Sequence, residues 1–495
     1  MYPYNHYKYI KRDQCYFPPI TTSHVSIKYM KTFYIRLQIL LIIILVFSPL
    51  LYLGYKKLSP QLDLYLYDLS AQQTIYPIST LHTQDTKILN DKNEPIRLRG
   101  VNLISTNWGD KYNDWNPKAI EHAAKNWHIN VIRTRIYEHE YVENPAKFFL
   151  NLETQILDPA RKNGLYVIIH PWFGENDSLP DNEGIKMWLS IANRYKNDPH
   201  IIYDLLAEPR DTTFDTVFNT YTSLIPKIRS ISPNSLIMVT GLDWGRDINA
   251  YLDSPLPYTN LVYRVNPYNK TAEFPGLFGK IAEKYPVFFG EFGTEDKLSM
   301  TIQDVQNVMA YADKLSIGWT AWHFTSSGCP CLLSNELDFT PTPYGDLVKA
   351  NLAGTTWPFT LPTFDTDPTK LYVYSDFLES GFSDYSWGIS NQLGTTISTN
   401  FHNGAGIYFS TPRRIDPKTF KSFVLTIDSK EAGKFSLRFK SWDNKLSNSY
   451  LLKNGPNAIG ISDIQLDSIS GILIESNETI PDPTILKIDH IYFRK

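Results

Sequence analysis

At 495 residues the chain has room for a barrel of roughly 250 residues and a smaller second domain. Its 48 Lys and Arg against 51 Asp and Glu leave a net charge of −3, without the basic footprint that a nucleic-acid binder needs. Three cysteines exclude a disulfide framework, and no Cys/His spacing suits a metal site. Aromatic residues, at 14%, are abundant; their flat faces serve core packing and sugar rings alike.

The chain opens on a basic tail, residues 1–36, in which Lys8, Lys11, Arg12, Lys28, Lys31 and Arg36 face one acid, Asp13. Leu37–Tyr55 follows, uncharged and rich in Leu and Ile, near the length of about 20 residues that crosses a bilayer as a helix. A soluble helix of that length would carry a polar face, so the stretch reads as a single transmembrane signal-anchor. The excess of Lys and Arg before it puts the N-terminus in the cytoplasm and the remaining chain outside the cell membrane. A cleaved signal peptide is the rival reading, but Phe47–Lys57 offers no small-x-small cleavage site. Met30 is an alternative start. Residues 56–87 read as a polar, Tyr-bearing stalk.

From residue 88 the pattern changes to short apolar runs alternating with amphipathic stretches. The runs are Leu98–Leu103, Val131–Arg135, Leu165–His170, Ile201–Ala207, Leu236–Gly241, Leu261–Asn266, Val287–Gly290 and Ile317–Trp322. Pro117–Trp127, Pro145–Asn163 and Ile185–Tyr195 between them read as helices, with Pro at the first turn and Gly164 at an end. Near-continuous apolar strands followed by helices point to a parallel sheet closed as a (β/α)8 TIM barrel over 88–354. An open doubly wound sheet is the alternative; it would want a Gly-rich phosphate loop after its first strand, and LRGVNLISTNWGD is not one.

In such barrels the chemistry sits where the strands end. Those ends carry Asn102, Arg133, His170 with Trp172, Glu208, Trp244, Asn266 with Tyr268, Glu291 and Trp322. An ionisable group straight after a buried strand is costly unless paired or used. Glu208 after IIYDLLA and Glu291 after PVFFG stand on the fourth and seventh runs. One carboxylic acid that protonates a glycosidic oxygen and a second carboxylate about 5 Å away, at the anomeric carbon, are what cleavage with retention needs. Neither a metal nor an organic cofactor is implied.

LRGVN, the first Arg of INVIRTRI, the AEP of DLLAEPR, NPY, GEFG and the second Trp of GWTAWHF together resemble glycoside hydrolase family 5, the cellulases, mannanases and other β-glycanases. The resemblance implies Glu208 as general acid/base and Glu291 as nucleophile. It also implies that Arg133 and Tyr268 hydrogen-bond Glu291, and that Trp322 is the platform under the sugar being cleaved. Three positions depart from the family pattern. Ala207 stands where Asn contacts the sugar 2-hydroxyl, Asn266 stands for a His, and the third strand ends in HPW, leaving His170 or Trp172 in the place of a His. His170 reads as a hydrogen-bonder in the site wall rather than a catalytic base, and Trp108, Trp115, Trp172 and Trp244 either as sugar platforms or as rings packed under loops.

Residues 355–368, with Pro358, Pro362 and Pro368, form a linker. Beyond it, over 369–495, short alternating runs separated by turn residues read as an all-β sandwich. LYVYSDFLESGFSDYSWG and IDHIYF resemble jelly-roll carbohydrate-binding modules; Tyr385, Trp387 and Trp442 could stack on sugar, with core packing the preferred reading of at least Trp387. Cys329 and Cys331 flank Pro330 and could react with each other or bind something; two free loop thiols is the preferred reading.

The expectation is a monomeric, membrane-tethered retaining β-glycosidase acting endo on a polysaccharide or oligosaccharide. A transglycosylase would use the same residues. A surface glycan-binding protein with an impaired barrel is favoured by Ala207 and Asn266 and disfavoured by the two glutamates, Arg133 and Tyr268. A stalked structural protein with a degenerate barrel is the third reading.

Overall fold

The structure, a computed structural model, describes residues 59–70, 76–103, 116–173, 179–294, 300–364, 367–389 and 391–495. The basic tail, Leu37–Tyr55, Trp108 and Trp115 lie outside them. Among the described residues no helix is long and apolar enough to cross a membrane. The chain divides into Met1–Leu66, of which residues 59–66 are described and helical, and Tyr67–Lys495.

In the larger unit eight strands close into a barrel. They are β1 (Arg99–Leu103), β2 (Val131–Tyr137), β3 (Tyr166–Trp172), β4 (Ile201–Asp204), β5 (Ile237–Val239), β6 (Leu261–Val265), β7 (Val287–Phe289) and β8 (Gly318–Ala321). All pair in parallel, and β8 returns to β1. Each apolar run read from the sequence falls on one strand, and the closure excludes the open sheet. The strands are apolar throughout because both faces are buried, inward against the barrel interior and outward under helices.

The helices start where local chemistry supplies a cap. Asn116 accepts from the Lys118 amide ahead of α1 (Pro117–Trp127), and Asn144 from Lys147 ahead of α2 (Pro145–Leu152). In both, Pro takes the first turn, where no amide hydrogen bond is lost. Asp181 caps α3 (Asn182–Tyr195), which starts three residues earlier than the apolar pattern alone places it. The sequence reading of a stalk needs correction. A hairpin of His82–Gln84 and Lys87–Leu89 carries Leu81 and Ile88 against Leu98, Val131, Ile168 and Phe288 at the N-terminal ends of the strands. The barrel floor is therefore built from residues before 88, and polarity on the hairpin's outer face hid it.

The C-terminal domain is two five-stranded antiparallel sheets. One contains β9 (Lys370–Tyr374), β11 (Ile397–Phe401), β13 (Ser422–Asp428), β16 (Gly455–Gly460) and β18 (Thr484–Arg494). The other runs β10 (Ser383–Asp384), β12 (Gly406–Ile415), β17 (Ile469–Ser476), β14 (Phe435–Lys440) and β15 (Tyr450–Leu451). Between them Phe423, Phe439 and Phe493 meet edge to face with ring centroids 4.9 and 5.0 Å apart, the arrangement aromatic quadrupoles favour.

The sandwich docks on the barrel through specific polar contacts. The Asp384 amide donates to buried Glu273 Oε1 at 2.9 Å, Lys280 pairs with buried Glu379, and Arg413 lies 3.3 Å from Asp253. Gly381, at φ +76°, brings its backbone so close to Asp247 that a Cβ would sit 2.6 Å from the carboxylate oxygen. These contacts fix one surface of the sandwich beside the end of β5.

Candidate active site

A single polar chain crosses the mouth of the barrel. Arg133 Nη1, from the middle of β2, donates to Glu291 Oε1 at 2.6 Å. The same guanidinium reaches Asp204 at the end of β4, 3.0 Å from Nε, and Asn102 Oδ1 at 3.0 Å. Asp204 in turn lies 3.2 Å from Nε of Arg264 on β6. Arg264 Nη1 donates to Asn266 Oδ1 at 2.8 Å, and Asn266 Nδ2 donates to Glu208 Oε1 at 3.1 Å. The two glutamates are thus joined through Arg133, Asp204, Arg264 and Asn266. Those four side chains are fully buried, which removes the water that would loosen such a chain.

The loops that carry the glutamates are clamped by the same groups. Arg264 Nη2 donates to the carbonyls of Leu206 (2.6 Å) and Ala207, the two residues before Glu208. Asn102 Nδ2 and Thr320 Oγ1 donate to Gly290 O at 2.9 and 2.6 Å, immediately before Glu291. Residue 290 must be glycine, because a Cβ there would run into the aliphatic stem of Arg264. On the far side Tyr344 donates its hydroxyl to Phe292 O at 2.6 Å.

Charge follows from this packing. Burial alone would raise the Glu291 carboxyl, but Arg133, Arg135 and Arg264 outweigh it and hold the group below the ordinary glutamate value. Burial first, then the charge of Glu291 and more weakly Tyr344 and Glu208, pushes the Tyr268 phenol well above its usual range. Tyr268 is a neutral hydroxyl that feels both carboxylates. The His170 ring is driven well below the ordinary imidazole value by burial and by the arginines Arg133, Arg135 and Arg264, so it is neutral. Neither of its nitrogens has a hydrogen-bond partner among the described residues. The hydrogen bond expected of His170 in the site wall is thus not made to any described group of the protein itself.

The sequence model of the cellulase family, glycosyl hydrolase family 5, matches residues 89–328. The barrel belongs to glycoside hydrolase family 5. Endoglucanase A of Butyrivibrio fibrisolvens is 29% identical over 230 residues, 44% of this chain and 52% of the relative. Endoglucanase E-5 of Thermobifida fusca is 25% identical over 257 residues, 48% of this chain and 54% of the relative. The chain spans about half the length of these two relatives. A solved β-glucanase of Saccharophagus degradans in complex with cellotetraose shares the fold, with a TM-score of 0.51 and 20% identity over 57% of this chain and 98% of that one.

Beside the glutamates, this family 5 barrel carries an alternating stack of rings and guanidinium groups. Arg135 Cζ lies 4.9 Å from the Trp322 ring and 4.6 Å from the Trp172 ring. Arg210 Cζ lies 5.7 Å from Trp172 and 4.1 Å from Trp244. Each approach is within the range in which a ring quadrupole attracts a cation. The stack brings Trp172, Trp244 and Trp322 into one row, and Trp244, 44% exposed, is its outer end. Among the described residues no three His, Cys, Asp or Glu side chains are grouped to hold a metal ion.

Sequence reasoning missed Asp204, Arg264, Arg135 and Arg210. A signal was present for the first two: an acid inside IIYD and a base inside LVYRV are charges within buried strands, and each needs a partner. Two other readings are corrected. Cys329 and Cys331, in the loop after β8, form a disulfide, and the intervening Pro330 lies against Gly293 after β7. Trp387 is not core: it is 42% exposed, its ring lying across the bare backbone of Gly406.

Proposed function

We propose that this family 5 barrel hydrolyses β-linked glucan chains internally, with retention of configuration. Glu208 protonates the glycosidic oxygen while Glu291 attacks the anomeric carbon, the bond to the leaving sugar breaks, and a glycosyl ester forms on Glu291. Water, giving its proton to Glu208, then attacks the same carbon and releases Glu291. The observation that carries this reading is the buried 2.6 Å contact of Arg133 with Glu291, linked to Glu208 through Asp204, Arg264 and Asn266. It gives one carboxylate a fixed cation and the other a neutral amide donor, the asymmetry that a nucleophile and an acid require. Asn266 replaces the ring expected from the family and still donates to Glu208. The relatives named endoglucanases support a β-glucan cut endo. Leu37–Tyr55 would tether the enzyme, as a monomer, to the outer face of the membrane.

A 2-deoxy-2-fluoro-β-cellobioside with a dinitrophenolate leaving group tests the assignment. One cellobiosyl unit should remain on the peptide containing Glu291, and a label on any other residue overturns the mechanism. Glu208→Gln should slow soluble β-glucan hydrolysis by about 10²–10⁴-fold, the usual contribution of a general acid. A second reading, glycan binding without turnover, is favoured by Ala207, which has no side chain to meet a 2-hydroxyl. Parent protein that binds β-glucan, mannan or xylan and liberates no reducing ends would establish it.

A further inference from the structure

A cavity of about 350 Å³ lies between barrel and sandwich, and its barrel wall is built on the Glu208 loop. Arg210 and Asp211 follow Glu208 by two and three residues and line it. Trp244, which also lines it, is tied to that loop, its amide donating to Pro209 O at 3.3 Å. Asn266 Nδ2, which donates to Glu208, also donates to Trp244 O at 3.4 Å. The opposite wall comes from the sandwich, with Tyr385 and Trp442.

Three aromatic rings from two domains face this space, each with substantial exposure: Trp244 44%, Tyr385 42% and Trp442 36%. Carboxylates and an amide, Asp211, Asp243 and Asn444, stand among them. Flat apolar faces interleaved with acceptors and donors suit a sugar, which has apolar ring faces and a rim of hydroxyls. The walls are braced. Arg246 Nη2 donates to the Tyr385 hydroxyl at 3.1 Å and pairs with Asp243 at 2.7 Å, so one guanidinium binds barrel to sandwich at the cavity edge. Trp244 is presented at a cost: Asp243, Trp244 and Gly245 are consecutive residues at φ +53°, +60° and +73°, and the left-handed region disfavours the two that carry side chains. Strain that exposes an indole is the kind found at ligand sites.

We infer that the sandwich completes the catalytic cleft: sugar units on the leaving-group side of the cleaved bond are held between Trp244 and the Tyr385 and Trp442 face. This rests on the proposed roles of the glutamates, because the residue that protonates the leaving oxygen necessarily faces the leaving chain. The sandwich is then part of the active site and not an independent tether to polysaccharide.

The test compares cellohexaose with 4-nitrophenyl β-cellobioside in the full chain. Trp442→Ala should lower kcat/KM for cellohexaose roughly three- to tenfold, the range of one aromatic contact, and by more than for the aryl cellobioside. With the reducing end labelled by ¹⁸O, its cleavage should shift towards that end, since fewer units are held beyond the bond. Trp442→Phe should restore most of the loss, which separates a lost ring from a misfolded sandwich. Trp387→Ala, on the same sandwich but away from the cavity, should change neither substrate. Equal losses on both substrates, an unshifted cleavage pattern, or an effect of Trp387→Ala matching that of Trp442→Ala would overturn the inference while leaving the hydrolase reading intact. Absence of cleavage of either substrate by the parent protein would overturn both.

Discussion

Arg133 and Asp204 are joined twice, Nε and Nη2 of the one lying 3.0 and 2.9 Å from Oδ2 of the other, with neither side chain exposed. Asp204 also serves Arg264, so one carboxylate is shared by two guanidinium groups, one holding Glu291 and the other the loop before Glu208. Asp204→Asn leaves both arginines buried without their shared counter-charge. Breaking a buried pair from one side costs about 3–5 kcal/mol. Chemical denaturation should read a loss of that order, and turnover should fall even in the folded fraction because Arg133 is no longer held in place.

The acid limb of kcat/KM should report Glu291. The arginines hold it below the ordinary glutamate value of about 4.3, so activity should persist to a pH below that figure. Arg135 Nη2 lies 3.9 Å from Glu291 Oε1. Arg135→Leu removes a nearby positive charge, and the midpoint of that limb should move upward. The same sign applies to stability: a carboxyl depressed on folding contributes above its unfolded pKa, and the contribution is lost as pH falls through the folded value. A limb that stays in place in Arg135→Leu would show that Arg133 and Arg264 set the charge state without Arg135.

His170 gives the opposite kind of linkage. Its folded value is well below the ordinary 6.5, so beneath that pH the unfolded chain binds a proton that the folded chain refuses. Stability should therefore decline below pH 6.5 by up to about 1.4 kcal/mol per pH unit from this residue, until the folded value is reached. No contribution is expected above it. His170→Phe, which fills the site without a titrating nitrogen, should flatten this part of the curve in thermal melts taken from pH 7 downward.

Gly381 holds the sandwich close to the barrel. Gly381→Ala combines a side chain at φ +76° with a Cβ 2.6 Å from the Asp247 carboxylate. A loss of about 1–3 kcal/mol is expected for strain plus a local clash. It should appear as faster amide exchange along β10 and near Asp247, with the barrel strands unaffected.

The order of strands and the glutamates were legible because they follow from local rules. A buried parallel strand must be apolar, and a charge at its end must be used or paired, so eight runs and the residues after them could be read in line. The floor hairpin escaped because only Ile88 and Leu89 of its strand residues are buried and its outer face is polar. In the sandwich, β16 escaped because GPNAIG carries Gly, Pro and Asn, which signal a turn, yet Asn457 and Ile459 are buried in it against β13. Trp387 was misread because alternation locates a ring on a face but does not tell whether that face is covered.

The sequence by itself determined eight buried parallel strands, the two carboxylates at their ends and the aromatic character of those ends, since burial periodicity and the cost of an unpaired charge act residue by residue. Tertiary structure decided which partners those residues meet. Arg264 and Asp204, in contact, are sixty positions apart, and Trp244 and Trp442, on opposite walls of one cavity, nearly two hundred, so no local pattern encodes either juxtaposition. Only closure of the strands and docking of the sandwich bring them together, because direct ionic and aromatic contacts act over a few ångströms of space whatever the separation along the chain.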